Sequence, residues 1–403
     1  MGFRFLSYYG MLALTHLFIQ ISLGHREYLN QLNEKEDKQY YPKIAIIIPS
    51  YNEEPNNVLK CVKSCLNQKY KGDFKVYFID DGSKDKRAVE VLKTIKDKRL
   101  IIIDNKENRG KREAQKCAFD IIPEDIDIFI TVDSDASLDK MAVYYIVQPF
   151  KDEKIGGVTA NVRGKSINIL SHLIDLRYFV AFNQERASQS LFGTVFCMCG
   201  VLSAYRAKII RKVKEEYVNQ YFLGQKCSYG DDRYLTNLVL REGYKTKYQP
   251  KSKVITSVPL TLKSWLSQQR RWAKSYLREL IITFKMLWNE PKKLHPYAWY
   301  DMIIQFILPI MLTISLILMI FNTIFSGIIF LFGYLAVLIG VALIRGVYSF
   351  IRTKDLRFFI FPIYAFLHVF LLIPNKYYAW FTLYKNSWGT RELNNGQREY
   401  SKI

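Results

Sequence analysis

The sequence predicts an α/β domain with a mainly parallel sheet, joined to an α-helical transmembrane region and to amphipathic interfacial helices. Two observations predict this architecture. Between residues 43 and 132, short apolar runs of strand character alternate with segments of helical periodicity, as in βαβ units. Longer apolar runs lie outside this part of the chain, and several approach or exceed the roughly 20 residues that a helix needs to cross a bilayer.

The alternation can be followed from residue 43 onwards. Each predicted strand is a run of aliphatic and β-branched residues that ends in a turn or in polar residues, and each predicted helix has an apolar face. The predicted strands are residues 43–49, 74–79, 100–103 and 126–132, and the predicted helices between them are residues 57–68, 88–95 and 112–119. Strands separated by helices in this way are expected to lie parallel to one another.

Four apolar segments predict an integral membrane protein. They are residues 3–23, 302–325, 328–344 and 358–381, and the second and third contain no Asp, Glu, Lys or Arg. A cleaved signal peptide is the alternative for the first segment, which lacks a clear small-residue cleavage site, so a membrane anchor is preferred. The formal net charge of +21 is compatible with an anionic membrane surface or with anionic substrates.

Polar and acidic clusters follow three of the predicted strands. They are Ser50-Tyr51-Asn52-Glu53, Asp80-Asp81 and Asp133-Ser134-Asp135. Open α/β sheets bind ligands at the carboxyl ends of their strands, and paired carboxylates suit a Mg²⁺ or Mn²⁺ ion that is shared with a phosphate. A solvated turn is the alternative for any one cluster, but the repetition at one sheet edge favours a binding site.

Other cofactor motifs are missing from the sequence. No Gly-x-Gly-x-x-Gly follows a strand, and no Walker-type phosphate loop is present, which excludes the common dinucleotide and P-loop enzymes. The six cysteines have no zinc-binding spacing and are expected to be reduced thiols.

Four further motifs follow along the chain. Residues 193–206 are apolar with small residues at the centre, which permits either close approach of a ligand or tight packing. Gly230-Asp231-Asp232 opens a helix, where an acid is also stabilised by the helix dipole. Gln268-Gln269-Arg270-Arg271-Trp272 lies in an amphipathic helix, whose alternative is a membrane-surface helix. Trp388-Gly389-Thr390-Arg391 follows the last apolar segment, and its alternative is an interfacial anchor.

Taken in order, these motifs resemble those of the processive family-2 glycosyltransferases, which include cellulose, chitin and hyaluronan synthases. The resemblance runs from about residue 43 to residue 391, and finer features are most similar to bacterial hyaluronan synthases. Two departures stand out. Cys199-Gly200-Val201 occupies the place where those enzymes usually carry Ser-Gly-Pro, and one amino-terminal membrane helix is predicted where they usually have two.

The resemblance implies a GT-A fold with a UDP-sugar site at the sheet edge. The residues it assigns to the uracil and ribose are Ser50, Tyr51, Glu53, Asp80 and Asp81. Those it assigns to the diphosphate or the sugar are Lys106, Lys111 and Arg112. Asp133 and Asp135, with Ser134 between them, would hold Mn²⁺ or Mg²⁺ against the diphosphate. The carboxy-terminal residues Trp388, Thr390 and Arg391 are grouped with this nucleotide site.

The resemblance also implies catalytic and acceptor residues. Asp232 would be the general base that deprotonates the acceptor hydroxyl, so that attack inverts the anomeric carbon, while Asp231 would orient the loop. Arg271 would assist the leaving UDP, with Gln268 in the same motif. The acceptor pocket would contain Cys199, Gly200, Tyr205 and Trp272, because an aromatic face suits the apolar side of a pyranose ring.

Six regions are expected along the chain. They are an amino-terminal transmembrane helix (1–25), a linker (26–42), a cytosolic catalytic domain (43–255), amphipathic interfacial helices (256–296), a transmembrane or re-entrant region (297–385) and a cytosolic tail (386–403). Basic residues on both sides of residues 358–384 place both flanks in the cytosol. This segment is too short for two crossings and contains Pro362 and Pro374, so a bent or re-entrant element is expected; a straight span is the alternative.

The expected activity is the polymerisation of UDP-GlcNAc and UDP-GlcA into hyaluronan by a multi-pass protein of the cell membrane. Its expected partners are these donors, the growing polysaccharide and membrane lipids, with no nucleic acid, and the protein is expected to act as a monomer. The alternative is a single-donor synthase of chitin or poly-N-acetylglucosamine. A transferase that adds one sugar to a lipid carrier is a further alternative, and a non-enzymatic receptor or transporter would leave the acidic clusters without a role.

Overall fold

A mixed eight-stranded sheet forms the centre of the protein. The computed structural model describes residues 2–33, 39–290 and 293–384. The strands are β1 (Ile44–Ser50), β2 (Phe74–Asp80), β3 (Leu100–Asp104), β4 (Ile128–Val132), β5 (Ser137–Leu138), β6 (Ile155–Gly164), β7 (Leu202–Arg206), β8 (Tyr221–Phe222), β9 (Gln225–Lys226) and β10 (Lys245–Thr256). The large sheet has the order β3-β2-β1-β4-β7-β6-β10-β5, and β8 and β9 form a separate hairpin.

Helices cover the sheet and extend beyond it. They are α1 (Gly2–Asn33), α2 (Pro55–Leu66), α3 (Arg87–Lys93), α4 (Lys111–Ile121), α5 (Ala142–Val147), α6 (Ile169–Val180), α7 (Ala187–Leu191), α8 (Ala207–Val218), α9 (Asp231–Arg241), α10 (Leu262–Asn289), α11 (Pro296–Ser326), α12 (Ile329–Thr353), α13 (Phe361–Leu367) and α14 (Ile373–Phe381). A π-helical segment, Ala181–Arg186, joins α6 to α7.

The predicted α/β fold class is confirmed. Strands β3, β2, β1 and β4 are parallel, while β7 is antiparallel to both of its neighbours. Every residue of β1 is buried, as is typical of a strand covered by helices on both faces. One core cluster packs α2, α3 and α5 on one face, and a second packs α4, α8 and α9 on the other.

The strand register explains why the polar clusters meet. Ser50 at the end of β1 lies opposite Asp80 at the end of β2, and Asp80 lies opposite Asp104 of β3. Because β4 is parallel to β1, the Asp133-Ser134-Asp135 segment emerges at the same edge. The carboxyl ends of these strands therefore form one rim on which a ligand can lie.

Three helical segments among the described residues are long and apolar enough to cross a membrane. They are Pro296–Ser326, Ile329–Thr353 and Leu356–Phe381, with mean hydropathies of 2.6, 2.2 and 2.1. The amino-terminal helix α1, with 32 residues, is long enough to cross a membrane but is less apolar than these three segments. It also continues to Asn33, beyond the predicted boundary at residue 25. Buried Glu27 stabilises this extension, because its carboxylate accepts a hydrogen bond from Ser190 Oγ at 2.7 Å.

The segment after α12, for which the sequence predicted a bent or re-entrant element, is helical throughout. Residues Leu356–Phe381 form one helical run that passes from a 3₁₀ turn into α13, a π-helical turn at His368–Leu372, and α14. Pro362 and Pro374 each lie in the first two positions of a helical segment. Each proline thus lies just after a 3₁₀ or π-helical turn, and the bent or re-entrant path stays a prediction.

The helix α10 carries the Gln268–Trp272 motif and has two different faces. Trp265 is buried against the membrane-side helices, whereas Ile281, Phe284 and Trp288 are exposed apolar side chains at helical spacing. Hydrogen bonds between Arg270 Nε and Asn375 Oδ1 (3.2 Å) and between Asn375 Nδ2 and Leu266 O (2.9 Å) hold α10 against α14. The predicted interfacial region thus contains one long amphipathic helix.

Candidate active site

A cavity of about 590 Å³ lies at the rim of the sheet. Its walls come from the loops after β1, β2 and β4, from the segment before β7, and from the first turns of α9 and the middle of α10. Among the predicted site residues, those that line it are Ser50, Tyr51, Glu53, Asp81, Lys111, Asp133, Ser134, Asp135, Cys199, Gly200, Asp231, Asp232, Gln268, Arg271 and Trp272.

Asp80 and Asp81 have different surroundings although they are adjacent. Asp81 lines the cavity, and its carboxylate accepts hydrogen bonds from the backbone N–H groups of Arg109 (3.0 Å) and Gly110 (2.9 Å). Asp80 instead points away from the cavity lining and accepts hydrogen bonds from Ser83 N and Lys86 Nζ. Asp81 therefore fixes the loop that leads into α4, while Asp80 fixes the turn after β2.

Asp133 and Asp135 supply two carboxylates to the cavity floor. Burial, together with the nearby charges of Asp133 and Glu53, raises the pKa of Asp135 to about 7. Thr256 Oγ1 lies 3.2 Å from Asp135 Oδ2 and donates a hydrogen bond to this carboxylate. Carboxylate oxygens are hard ligands that suit a divalent cation, and the charge of such a cation would reduce the repulsion between these neighbouring carboxylates. Within the described residues no group of three or more His, Cys, Asp or Glu is arranged to hold a metal, so further ligands would have to come from a bound diphosphate.

Lys111 links the two acidic parts of the cavity. It is the first residue of α4, and its Nζ lies 2.7 Å from Asp133 Oδ1 and 3.0 Å from Asp231 Oδ2. Burial opposes its charge, but the two carboxylates keep the pKa of Lys111 well above its ordinary value. Gly200 provides the space for this pair, since a Cβ there would lie 3.1 Å from Lys111 Nζ.

Gly230 directs the start of α9 into the cavity. It adopts a φ of 77°, in the region that glycine tolerates best, and a Cβ at this position would overlap Ser275 Oγ of α10. The chain can therefore turn tightly against α10 and begin α9 with Asp231 and Asp232. Arg278 Nη2 donates a 2.6 Å hydrogen bond to Tyr229 O, which holds the turn in place.

Asp231 and Asp232 are both partly buried in the cavity wall but differ in charge environment. Burial raises the pKa of each carboxyl group, but for Asp231 the neighbouring Lys111 and Arg112 outweigh burial and lower the pKa below its ordinary value. For Asp232, burial and the charge of Asp231 both raise the pKa. Asp232 Oδ1 accepts a hydrogen bond from Arg233 N at 2.8 Å, and the Cys197 thiol lies 3.5 Å from Oδ2. Such a pair can divide the roles of charged anchor and proton acceptor.

The α10 motif closes the cavity from the side opposite the sheet. Gln268, Arg271 and Trp272 line it, whereas Arg270 faces α14. Trp272 is 43% exposed, and its ring centroid lies 6.4 Å from that of Tyr178. An open aromatic face in the same cavity as Asp232 is a suitable platform for a sugar ring.

The comparison with known proteins agrees with this geometry. Residues 45–214 match glycosyl transferase family 2. Over 393 residues the chain is 36% identical to a hyaluronan synthase of Streptococcus pyogenes, a match that covers 95% of this chain and 90% of that protein. The chain belongs to glycosyl transferase family 2.

Two other proteins extend the comparison of this family-2 glycosyltransferase. It is 34% identical to an N-acetylglucosaminyltransferase of Azorhizobium caulinodans over 359 residues, which are 87% of this chain and 88% of that protein. Its fold is similar to that of the mannosyltransferase PcManGT from Pyrobaculum calidifontis, solved in complex with GDP-Man and Mn²⁺, with a TM-score of 0.60 at 18% identity over 91% of this chain and 99% of that chain. The resemblance of the motifs and the GT-A-like fold are thus confirmed. The three apolar helices and the similarity to a hyaluronan synthase support an association of this glycosyltransferase with a membrane.

Besides Asp80, three predicted site residues of the glycosyltransferase lie outside the cavity lining. Arg112 is buried, and its guanidinium lies between the rings of Tyr217 and Tyr234 and donates a 2.8 Å hydrogen bond to Gln220 Oε1. It follows Lys111 in α4, and successive helical side chains point about 100° apart, so only one of the two reaches the cavity. The guanidinium therefore supports the wall behind Asp231 instead of facing a diphosphate.

Tyr205 and Lys106 are the other two. Tyr205 is 2% exposed and packs in the core between β4 and α8, because it occupies a position of β7 whose side chain points to the buried face. The acceptor-pocket prediction for Tyr205 is therefore wrong. Lys106 is exposed in the loop after β3 and is not part of the cavity lining. Trp388, Thr390 and Arg391 lie outside the described residues.

The site predictions omitted several residues that line the glycosyltransferase cavity. A second cavity of about 460 Å³ lies among α1, α6, α10, α11, α12, α13 and α14. The residues that line both cavities are Arg177, Glu185, Arg233, Gln269, Trp272, Gln305 and Tyr364. The ion pair between Arg177 Nη2 and Glu185 Oε2 (3.0 Å) stands at this junction. Both residues are charged and lie in a largely apolar stretch of the chain, a contrast that could have indicated this pair.

Proposed function

We propose that this protein is a processive, inverting glycosyltransferase that polymerises UDP-GlcNAc and UDP-GlcA into hyaluronan and translocates the product across the membrane. The shared wall of the two cavities is the observation that carries the proposal. An acceptor that occupies the cavity beside Asp232 and Trp272 has the second cavity directly behind it, among the apolar helices. This arrangement suits a polymer that stays bound between additions better than a short product that is released into water.

The charge of the second cavity supports an anionic product. Among its described lining residues, Arg177, Arg233, Arg345 and Lys376 are basic, while Glu185 is acidic. Excess positive charge between apolar helices is costly without a counter-charge. A polymer with one carboxylate in every second sugar would supply that counter-charge along its length, whereas a neutral chitin-like polymer would not.

The residues of the cavity would divide the transfer reaction between them. Asp232 would accept the proton from the acceptor hydroxyl as its oxygen attacks the anomeric carbon of the donor from the side opposite UDP. Trp272 would hold the acceptor ring so that this hydroxyl faces Asp232, and Arg271 would stabilise the negative charge that develops on the leaving diphosphate. One displacement on one face inverts the configuration at that carbon.

Asp133 and Asp135 would hold Mn²⁺ or Mg²⁺ when the donor is bound. The ion would act as a Lewis acid that offsets charge on the departing diphosphate. Ser50, Tyr51, Glu53 and Asp81 line the adjacent part of the cavity and would contact the nucleoside.

Purified protein in lipid nanodiscs tests the donor assignment. The protein is incubated with Mn²⁺ and with UDP-GlcNAc, with UDP-GlcA, or with both, and the product is sized by gel filtration. High-molecular-mass polymer is expected only with both donors. Polymer from UDP-GlcNAc alone would contradict the proposal and support a single-donor synthase. The similarity to an N-acetylglucosaminyltransferase is the observation that favours this alternative.

We propose further that the catalytic domain is cytosolic, since nucleotide sugars are made there, and that the protein crosses the membrane several times. A cysteine introduced by Asn394→Cys provides the test in intact and opened cells. A membrane-impermeant maleimide is expected to label it only after the cytosolic side is exposed. Labelling in intact cells would place the carboxy-terminal tail outside.

A further inference from the structure

We propose that Lys111 is the internal counter-cation of the nucleotide-free active site, so that it competes with the divalent metal for Asp133 until a diphosphate draws it away. The inference rests on the proposed function in one respect: it takes Asp133 as a metal ligand. In this proposal Lys111 is a positioning residue, because it controls whether Asp133 is available to the metal, in addition to any contact that it makes with the donor.

The ion-pair geometry is the first support. Lys111 Nζ lies between two carboxylates that belong to different parts of the site, at 2.7 Å from Asp133 Oδ1 and 3.0 Å from Asp231 Oδ2. The lysine side chain is only 18% exposed, so bulk water screens these contacts weakly. An ammonium ion at hydrogen-bond distance from Asp133 occupies the space in which a cation bound to the same oxygen would lie.

The surroundings of the pair are the second support. At Gly200 a Cβ would lie 3.1 Å from Lys111 Nζ and 3.6 Å from both carboxylate oxygens of Asp133. The backbone thus comes close to this ion pair, and a side chain at position 200 would press against Lys111 Nζ. Asp135, by contrast, receives a neutral hydrogen bond from Thr256. Of the two proposed metal ligands, Asp133 is the one held by a cation.

The reach of lysine completes the argument. Its four-carbon side chain carries a compact charge that can move without any movement of α4. A diphosphate placed against the metal pair brings several negative charges, which compete with Asp133 for the ammonium group. Once Lys111 turns towards the diphosphate, Asp133 is free for the metal, and the contact with Asp231 can be kept. Metal and nucleotide are therefore expected to bind with strong positive coupling.

Nucleotide-free Mn²⁺ binding tests this role, since it needs no sugar donor and no polymer. The free Mn²⁺ concentration is followed by electron paramagnetic resonance while full-length protein in nanodiscs is titrated. Lys111→Gln and Lys111→Met are expected to bind Mn²⁺ about tenfold or more tightly than the natural protein in the absence of UDP, because a competing positive charge is removed. Lys111→Arg, which keeps the charge, is expected to remain close to the natural protein.

A matched control is available in the same helix. Lys116 also lies between two carboxylates, 2.7 Å from Asp120 Oδ2 and 3.0 Å from Glu215 Oε1, but outside the cavity. Lys116→Gln is expected to leave Mn²⁺ binding unchanged. Thermal unfolding of each variant shows whether it is folded. Two neutral replacements are made at position 111, so that the test can still be carried out if one of the two variants does not fold.

The titration is then repeated with UDP. In the natural protein UDP is expected to tighten Mn²⁺ binding strongly, and in Lys111→Gln this coupling is expected to shrink, by the same factor for either order of addition. If Lys111→Gln and Lys111→Met weaken UDP binding while nucleotide-free Mn²⁺ binding stays within twofold of the natural protein, Lys111 is a phosphate ligand only and the proposal is overturned. A failure of the polymerase assignment would leave the Mn²⁺ result unaffected, so the two outcomes can be told apart.

Discussion

Asp231 and Asp232 show how one residue step changes the chemistry of a carboxylate. Asp231 faces Lys111 and stays charged, since its pKa is lowered. In the described part of the chain, the hydrogen-bond partners of the Asp232 carboxylate are the backbone N–H of Arg233 and the Cys197 thiol, and neither is a cation. Burial and the charge of Asp231 raise the pKa of Asp232. A base with a raised pKa accepts a proton more readily than an ordinary aspartate, which suits the deprotonation of a hydroxyl.

Replacement of Asp232, the proposed base, is the first prediction. Asp232→Asn keeps the size of the side chain but cannot accept the proton, so polymer formation is expected to fall by about 10²- to 10⁴-fold. Binding of UDP with Mn²⁺, measured by calorimetry, is expected to remain near that of the natural protein. Polymerisation at the natural rate would remove Asp232 from the mechanism.

The pH dependence follows from the same pair. Asp232 must be deprotonated to act as base, so kcat is expected to fall as the pH drops through its raised pKa, and to be retained above it. Asp231→Asn removes the neighbouring negative charge and should lower the pKa of Asp232. The acidic limb of the kcat profile of this variant is therefore expected to move to lower pH. A limb that stays in place would mean that another group titrates.

Cys197 gives a third prediction at the residue scale. Burial raises the pKa of its thiol, so it stays protonated and can donate the 3.5 Å contact to Asp232 Oδ2. Loss of a weak hydrogen bond of about 1 kcal/mol in Cys197→Ala is expected to lower kcat about fivefold with little change in KM. Cys117→Ala, a partly exposed thiol of α4 outside the cavity, is the control.

Residue-scale positions were the least predictable from the sequence. The acids after β1, β2 and β4 could be placed at one edge, because the carboxyl ends of parallel strands coincide. Which of two neighbours faces that edge could not be known, as Asp80 and Asp81 or Lys111 and Arg112 illustrate. Which of two neighbouring side chains faces the site depends on the rotation of the helix or strand about its axis. Packing against residues that are distant in sequence sets this rotation.

At the scale of elements, the contact between α9 and α10 organises the site. Gln220, Asn237 and Arg278 all donate hydrogen bonds to the buried carboxylate of Glu279. This network connects the segment after α8, the helix α9 and α10, which carry or adjoin the Asp232 and Arg271 motifs. The sequence showed both motifs but gave no sign that Glu279 joins them, since a single acid in a basic amphipathic helix resembles a surface residue.

The close approach of Gly230 to α10 gives the next prediction. Gly230→Ala introduces a Cβ that overlaps Ser275 Oγ and lies 2.6 Å from Arg278 Nη2, so α9 and α10 must separate and activity should be lost. Gly243→Ala is the matched control, because Gly243 has a similar φ of 84° but no heavy atom within 4 Å of the added Cβ. The control is expected to cost about 1 kcal/mol in unfolding free energy and to remain active. Equal loss of activity in both variants would attribute the effect to backbone strain.

Element boundaries were predicted well where the local pattern was strong. The strand predicted at residues 74–79 is Phe74–Asp80, and the helix predicted at residues 57–68 is Pro55–Leu66. The bent or re-entrant path of residues 356–381 stays a prediction, because a helical run with 3₁₀ and π-helical turns is compatible with it. The antiparallel β7 between β4 and β6 was also not predictable, because its partners are set by the closure of the whole sheet.

At the scale of the whole molecule, the two cavities place catalysis and the membrane helices next to each other. Arg345 of α12 reaches from the membrane region to the catalytic domain, since Nη1 donates to Gln184 Oε1 at 3.2 Å and Nη2 to Gln20 Oε1 at 3.1 Å. It lines the second cavity. A charge in this position would contact a polymer long after the sugar has been added.

Arg345→Gln is therefore expected to shorten the polymer without a change in the KM for either donor. The reason is that an anionic chain loses one of the counter-charges that retain it between additions. Product length is measured by gel electrophoresis or light scattering. Arg352→Gln, seven residues further along α12, is the control, because Arg352 contacts Tyr28 and Tyr348 and lies outside both cavities. Equal shortening in both variants would point to a general loosening of α12.

The order of the elements along the chain has a consequence for how the protein is made. Every strand of the large sheet ends by Thr256, and the first of the three long apolar helices begins at Pro296. All strands of the large sheet are therefore synthesised before the first of these helices. Domains tend to fold as they emerge from the ribosome. We therefore expect the sheet to form before α11 and α12 are made, so that these helices would insert next to a domain that is already folded.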